Sequence, residues 1–256
     1  MFLLTKLFLW FVLYSFIGWV YESIVCSVEE RRLVNRGFLN GPICPVYGFG
    51  ALIALFFLDQ RTDNVFILFF ASMLLTCVVE YITAVLLERL FHAKWWDYSN
   101  YRINFQGRVS LLGAVVFGIL CVLLIRYIHP FVKTLTISLS DMTLYCSALV
   151  CFLLTMLDLF ITVRHLLQLK GRLAELQHAI NRFLEQYTKR AEGLKNALFE
   201  KFEESEFFNE RIKKLINLRK FQDIRIARAF PKLRPLKSND AWQKLKAYWL
   251  NNDHDK

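Results

Sequence analysis

The chain has 256 residues, of which 55% are hydrophobic, and its formal net charge is +10. Residues 1–163 hold 11 basic and 10 acidic side chains, whereas residues 164–256 hold 21 and 12. This asymmetry excludes one soluble globular domain, and the apolar content excludes an intrinsically disordered chain. We therefore predict an all-α integral membrane protein, with a transmembrane domain over 1–163 and a cytosolic helical tail over 164–256.

Five apolar segments are long enough, or nearly so, to cross about 30 Å of hydrocarbon. They are residues 2–24, 45–58, 65–87, 109–128 and 142–163. The first segment differs from a signal peptide because its apolar run is long, lacks a small-residue cleavage site and ends in Glu22, so we expect an uncleaved span. The second segment is short.

Basic residues predict the orientation in the membrane. The 21 basic side chains after residue 163 place the tail in the cytosol, and five spans then place the N-terminus outside. The loops 25–44 and 88–108 become cytosolic. We expect the protein in the cell membrane, that is, the plasma or inner membrane.

Residues 35–50 are too rich in glycine and proline to form a regular lipid-facing helix. Proline removes backbone donors, and glycine permits backbone turns that other residues resist. The residues that shape this segment are Gly37, Gly41, Pro42, Pro45 and Gly48. Such backbone is tolerated at membrane depth only against protein or water, so we predict a re-entrant, cavity-lining loop. The alternative is a tight hairpin whose glycines allow close helix packing.

Acidic residues lie near the predicted cytosolic ends of three spans, at Glu22, Glu80 and Asp158. Because an ionisable group within a span is costly unless it is paired or faces water, they predict a polar cavity open to the cytosol. The alternative is hydration at headgroup level. A weak repeat supports a cavity, since 26 residues separate Glu22 from Gly48 and 27 separate Glu80 from Gly107. Repeats with interrupted segments place binding sites at their interface in transporters.

The second cytosolic loop combines aromatic residues with Asp97, Asn104 and Arg108. The aromatic residues suit a membrane interface. If both loops fold together, their polar groups form one cluster that binds a charged headgroup or solute, or else a set of salt bridges that locks the bundle. The candidate substrate-binding residues are Glu22, Asn35, Arg36, Glu80, Asp97, Asn104 and Arg108.

Several motifs occur together in order and spacing. They are Gly18-Trp-Val-Tyr-Glu22, Asn35-Arg-Gly-Phe38, Pro45-Val-Tyr-Gly-Phe-Gly-Ala51, Trp96-Asp-Tyr-Ser99 and Asn104-Phe-Gln-Gly107. With them, residues 1–163 resemble the CmpB-type family, labelled "putative ABC-transporter type IV" and formerly a domain of unknown function. The resemblance implies a polytopic membrane protein with five or six spans. It implies no settled activity and no catalytic residues.

The chain lacks other signatures of chemistry. It has no Gly-x-x-x-x-Gly-Lys-Ser/Thr motif, so an ATPase partner must be a separate chain. None of the six cysteines forms Cys-x-x-Cys, and the five histidines show no ligand spacing. We therefore predict no metal, no cofactor and no catalytic residues.

The tail begins with apolar residues spaced by threes and fours. They are Leu166, Leu169, Leu173, Leu176, Ile180, Phe183, Tyr187, Leu194 and Leu198. This pattern predicts a long amphipathic helix that continues from the last span, as well as a coiled coil in cis or with a second copy. We predict a second helix near 206–229, with Ser205 as its N-cap and Pro231 after its end.

A basic stretch closes the tail. It comprises Arg225, Arg228, Lys232, Arg234 and Lys237, together with the aromatic residues Phe230 and Trp242. We predict that it rests on anionic lipid headgroups. We expect no nucleic-acid binding, since attachment to a membrane already accounts for the charge.

The sequence favours a permease-like transport subunit with a polar site open to the cytosol. The acids would supply ion or proton coupling, and the arginines would hold an anionic group. Expected partners are membrane lipids, a separate ATPase subunit and a second copy in a homodimer. The alternatives are a membrane enzyme or flippase acting on a lipid headgroup or isoprenoid phosphate, and a scaffold or sensor that works through the tail.

Overall fold

A computed structural model describes residues 2–187, 214 and 221–251. The described chain is mostly helical, as predicted. Its α-helices are α1 (Phe2–Glu30), α2 (Pro45–Leu58), α3 (Val65–Phe91), α4 (Leu111–Leu123), α5 (His129–Ser138), α6 (Asp141–Tyr187), α7 (Phe221–Ala229) and α8 (Asn239–Asn251). A π-helix, Leu124–Ile128, joins α4 to α5.

Short strands pair within the connecting segments. Strand β1 (Ala93–Lys94) pairs antiparallel with β4 (Arg234–Pro235), and β2 (Asn104–Phe105) pairs antiparallel with β3 (Val109–Ser110). The first of these pairs joins the second loop to the tail. The strands were not predicted, because two-residue runs carry no periodic signal.

Four helical stretches in the described residues are long and apolar enough to cross a membrane. They are Leu3–Glu30, Val65–Phe91, Leu111–Ser138 and Asp141–Arg182. The third combines α4, the π-helix and α5. Helix α2 has 14 residues, about 21 Å at 1.5 Å per residue, which is shorter than the hydrocarbon layer. The protein is thus a helical membrane protein in which α2 differs in length from the other predicted spans.

The chain returns along α1 before α2 begins. The Val34 amide donates to Ser27 Oγ at 3.0 Å, and the Arg36 amide donates to Ser23 Oγ at 3.2 Å. The Cys44 amide then donates to the Ser15 carbonyl at 3.0 Å. Helix α2 therefore begins beside the middle of α1 rather than beside its end.

The connection between α3 and α4 follows the same course. Tyr81 Oη donates to Gln106 Oε1 at 3.0 Å, and Arg108 Nη2 lies 2.7 Å from Glu88 Oε2. Residues 92–110 thus fold back along the C-terminal part of α3, from Tyr81 onward, before α4 begins. Each half of the bundle consists of a helix, a returning loop and a second helix, in line with the weak sequence repeat. The first returning loop comprises residues 31–44, and the second comprises residues 92–110.

Helix α6 continues from the last span into the tail without a break at residue 164, as the heptad pattern predicted. Its heptad side chains from Leu166 to Ile180 are buried. They pack against Ile226 of α7 and against Trp242 and Leu245 of α8. This part of the heptad face is therefore covered within the chain. The coiled coil stays a prediction, and Leu194, Leu198 and Ser205 lie outside the described residues.

The predicted lipid-facing role of the basic stretch is wrong for three of its residues. Phe230, Trp242 and Arg225 are buried in the packing of the tail. The prediction failed because a stretch of aromatic and basic residues has the same sequence pattern whether its aromatic side chains face lipid or pack into a protein core. The second tail helix ends at Ala229, two residues before Pro231, in agreement with its predicted end.

Candidate functional site: a cavity within the membrane bundle

A cavity of about 210 Å³ lies among α1, α2, α3, α4 and the two returning loops. Its wall is largely apolar, with contributions from Ile17, Val46, Phe117 and Leu120. The polar side chains that line it include Glu22, Arg36, Tyr47, Glu80 and Tyr98. The cavity therefore offers a few polar groups within an apolar enclosure, as is usual for small-molecule sites.

Glu22 is fully engaged by its neighbours. Tyr47 Oη donates to Glu22 Oε1 at 2.7 Å, and Arg36 Nε lies 3.4 Å from Glu22 Oε2. Arg36 reaches this point because the loop after α1 turns back into the bundle. The carboxylate and the guanidinium thus compensate each other's charge at the cavity wall.

Glu80 is only partly engaged. The Tyr98 hydroxyl lies beside its carboxylate, and burial, together with the nearby Glu80 and Glu22, raises the pKa of Tyr98. That hydroxyl therefore remains a donor. The second oxygen of Glu80, Oε2, is buried and has no hydrogen-bond partner among the described residues. Glu80 is 8% exposed, so this oxygen is an unsatisfied acceptor at the cavity wall.

The tail forms one side of the cavity. Phe230 lines it, and the guanidinium of Arg36 lies over the Phe230 ring, 4.4 Å from its centroid. Arg36 also donates a hydrogen bond to the Ala229 carbonyl. Arg225 donates to the carbonyls of Gly37 and Leu39 at 3.0 and 2.9 Å. The first returning loop is thus held between the cavity and the tail.

The other predicted binding residues do not line the cavity. Asn35 accepts from Trp19 Nε1 at 2.7 Å, and Asn104 Oδ1 accepts from the Gly107 amide at 2.9 Å. Arg108 pairs with Glu88. Asp97 accepts from the Ser99 amide at 2.9 Å. Partial burial acts to raise the pKa of Asp97, but the hydrogen bonds from Ser99 outweigh it and lower that pKa. Asp97 and Asn104 are thus satisfied within the second loop and Arg108 by α3, so the predicted single cluster is divided in two.

Asp158 does not line the cavity either. Its Oδ2 accepts from the Gly41 amide at 2.8 Å, and its Oδ1 accepts from the Asn40 amide at 3.1 Å. A carboxylate that accepts backbone N–H groups satisfies donors that the irregular loop would otherwise leave without partners. Asp158 therefore anchors the first returning loop.

The glycines of the predicted 35–50 segment do not adopt unusual backbone angles, and one of them, Gly48 in α2, lies at a close contact with α1. Among the described glycines only Gly107 has a positive φ, at 69°. At position 48, by contrast, a Cβ atom would lie 2.2 Å from Ser15 Oγ and 2.6 Å from the Phe11 carbonyl oxygen. Gly48 therefore stands where α1 and α2 approach closely, the arrangement that the alternative expects there. Pro45 begins α2, where its missing N–H leaves no helical bond unmade.

A sequence model of the family described as "Putative ABC-transporter type IV" matches residues 9–163. The chain belongs to this family. The match covers almost all of the predicted transmembrane domain, including both returning loops and the cavity residues from α1 to α4. Residues 164–256 lie beyond it. Comparisons with curated proteins and with solved structures find no match.

In this member of the family, sequence reasoning missed the neighbours of the two cavity acids. Tyr47 and Tyr98 each lie on a returning loop or directly after it. Tyr47 donates to Glu22 on the preceding helix, and the Tyr98 hydroxyl lies beside Glu80 on its own preceding helix. Both tyrosines stand inside motifs that carried the resemblance, Pro45-Val-Tyr47 and Trp96-Asp-Tyr98. Each tyrosine follows its acid in the corresponding half of the weak repeat, and this similarity is the sequence feature that could have identified both residues.

Proposed function

We propose that the protein is a permease-like subunit of a membrane transporter, with its site at the cavity between the two helix–loop–helix halves. The observation that carries this proposal is the buried carboxyl of Glu80, whose Oε2 has no partner among the described residues. An ionisable group within a membrane span is costly unless it is paired or serves a function. A proton or the positive charge of a solute satisfies this oxygen.

The cavity residues then divide into two roles. Glu22, Arg36 and Tyr47 already satisfy one another, so they shape the wall. Glu80 binds a proton or the positive charge of a solute, and the Tyr98 hydroxyl lies beside its carboxyl group. Arg36 is engaged by Glu22, by the Ala229 carbonyl and by the Phe230 ring. The anion-holding role expected for the arginines is therefore weaker than the cation- or proton-binding role of Glu80.

The orientation in this proposal places the tail and both returning loops on the cytosolic side, and the N-terminus outside. The 21 basic residues after position 163 support it. Residues 31–44 re-enter the bundle, and together with α2 they complete a fifth crossing. The position of Cys44 beside Ser15, in the middle of α1, supports a re-entrant course.

The energy source in this proposal is a separate ATPase chain. The family description points to transporters of the ABC type, and this sequence has no nucleotide-binding P-loop. Crosslinking in native membranes, followed by purification and mass spectrometry, tests for that partner. A stoichiometric ATPase is expected. A tightly held phospholipid or polyprenyl phosphate without an ATPase would instead favour a lipid-acting enzyme or flippase.

The site itself is tested with dicyclohexylcarbodiimide, an apolar reagent that modifies protonated carboxyl groups. The full-length protein in membranes is treated, and modified peptides are located by mass spectrometry. We expect modification at Glu80, and its loss in Glu80→Gln. Glu29→Gln, at an exposed position of α1 outside the cavity, is the matched control and should leave modification of Glu80 in place. A folded protein that reacts at Glu22 rather than at Glu80, or at neither, would contradict the proposed site.

A further inference from the structure

A buried tyrosine–histidine pair lies at the end of the cavity farther from the tail. Tyr14 Oη and His129 Nδ1 are 2.8 Å apart, and the two residues are 3% and 6% exposed. The edge of the Trp10 ring system contacts the imidazole, with the ring centroids 4.8 Å apart at 90°. A titratable imidazole is thus enclosed within the membrane bundle, where a purely apolar residue would fill the space at lower cost.

The backbone at this point is also unusual. His129 directly follows the π-helix Leu124–Ile128, and its amide donates to the Leu124 carbonyl. π-helical turns within α-helices occur frequently at functional sites. Leu124 and Ile128 of this turn line the same cavity as Glu80. The π-turn therefore belongs to both the cavity wall and the setting of the imidazole.

Tyr14 connects the imidazole to the cavity. Its side chain lines the cavity that contains Glu80, while its hydroxyl contacts His129. The charged groups whose fields reach the imidazole are Asp59, directly after α2, and Lys133, one turn along α5. Both lie toward the end of the bundle opposite the tail, so His129 stands between that end and the cavity.

We propose that Tyr14 and His129 form a proton-transfer pair that connects the cavity to the membrane face opposite the tail. The inference rests on the proposed function, because it supplies the proton that Glu80 binds. Imidazole takes up a proton at Nε2 and becomes imidazolium. Its Nδ1 proton then passes to the Tyr14 oxygen while the tyrosine hydroxyl proton leaves into the cavity. One proton enters at Nε2 and one leaves to the Glu80 carboxylate, so both side chains end neutral. The imidazole then carries its proton on Nε2 and must return it to Nδ1 before the next transfer.

The first measurement follows His129 itself. Histidine ring nitrogens are observed by ¹⁵N NMR in the full-length protein in lipid nanodiscs, and His129→Gln assigns the signal. We expect reversible protonation between about pH 5 and about pH 8, the range in which histidine titrates, and an altered titration in Tyr14→Phe. A ring that keeps one protonation state throughout this range would overturn the proposal.

The second measurement tests the direction of access. Oriented membrane vesicles are labelled with dicyclohexylcarbodiimide while the pH opposite the tail is changed from about 6 to about 8 and the tail side is held constant. Labelling of Glu80 is expected to fall severalfold in the native protein and to become independent of that pH in Tyr14→Phe. Dependence on the tail-side pH alone would overturn the relay. Absence of labelling under every condition would contradict the site at Glu80, and the NMR titration would still decide the relay.

A different observation carries a second proposal, which concerns the opposite end of the cavity. Phe230 lines the cavity, and Arg225 holds the first loop through three carbonyls, those of Gly37, Phe38 and Leu39. We propose that the layer formed by α7, β4 and α8 is a gate, so that solute passes between the cavity and the tail side only when Phe230 withdraws. This proposal also rests on the cavity being the transport site.

Cys44 provides a native reporter because it lines the cavity. In a full-length variant that retains Cys44 alone, we measure its rate of reaction with a membrane-impermeant maleimide added on the tail side. Phe230→Ala and Arg225→Gln are expected to accelerate the reaction severalfold, whereas Arg234→Gln, at an exposed position of β4, should not. Equal rates in all four proteins would overturn the gate, irrespective of the result at Glu80.

Discussion

The carboxylate of Asp158 accepts the backbone N–H of Gly41 at 2.8 Å, across 117 residues of sequence. This bond joins α6, the longest helix among the described residues, to the loop that borders the cavity. A second bond, from the Asn40 amide, strengthens the attachment. An acid that resembled a cavity residue in sequence is thus part of the frame that holds the cavity's loop in place.

Replacement of this acid should destabilise the protein. Asp158→Ala leaves two loop amides without their acceptor, and hydrogen bonds to a charged group contribute about 1.5–3 kcal/mol each. We expect a clearly lower thermal midpoint in detergent. Asp63→Ala is the control, because Asp63 is exposed and its only described ion pair, with Arg126, is at 3.5 Å. Equal midpoints for the two variants would contradict the anchoring role.

Two glycine-to-alanine substitutions in α2 test whether a glycine is needed there for close packing against α1. Gly48→Ala should force α1 and α2 apart, because the new Cβ would lie 2.2 Å from Ser15 Oγ and 2.6 Å from a backbone oxygen. Overpacking of this kind costs about 1–3 kcal/mol. Gly50→Ala, two residues further along the same helix, meets nothing within 4 Å and should be neutral. The yield of folded protein and its thermal midpoint measure both, and a neutral Gly48→Ala would show that the helices can separate freely.

The attachment of the tail to α6 should depend on pH through Asp223. This buried carboxylate accepts from Arg172 Nη2 at 2.7 Å and lies 2.8 Å from His165 Nε2. Burial acts to raise the pKa of Asp223, but the hydrogen bonds from His165 and Arg172 lower it overall. Because the folded pKa lies below the unfolded value, the ionised group stabilises the fold above that unfolded value, near 4.

That stability should be lost as the pH falls through the lowered pKa of Asp223. We expect acid loosening of the tail layer below about pH 4, measured by the fluorescence of the buried Trp242 and Trp249. Asp223→Asn should be less stable at neutral pH and should lack this component of the acid transition. An unchanged acid transition in Asp223→Asn would assign the loosening to other groups.

The pair of Arg108 and Glu88 should be structural. With an N–O distance of 2.7 Å and partial exposure of both side chains, the pair should couple by about 1 kcal/mol in a double-mutant cycle of Arg108→Gln and Glu88→Gln. Neither variant should alter carbodiimide modification of Glu80. Loss of that modification in Arg108→Gln would contradict a purely structural role and would indicate that Arg108 contributes to the cavity site.

The two helix–loop–helix halves show which features can be predicted from local sequence and which depend on tertiary contacts. The interrupted segment at 35–50 was recognisable because proline and glycine disfavour a regular helix wherever they stand. Its course back to Ser15 was not, because that course depends on amides of the loop meeting hydroxyls and carbonyls of α1. Similarly, the heptad face was visible in sequence, whereas its cover by α7 and α8 required contacts across more than 40 residues.

The sequence by itself determined the membrane character, the long helices and the family, because each depends on runs of apolar residues or on short motifs that are complete within one segment. Only the tertiary structure decided the roles of the three acids. Glu22 meets Arg36 and Tyr47, Asp158 meets two backbone amides, and Glu80 keeps one oxygen without a partner among the described residues. The physical reason is that a buried carboxyl is defined by the donors around it, and those donors come from loops that the fold returns to it.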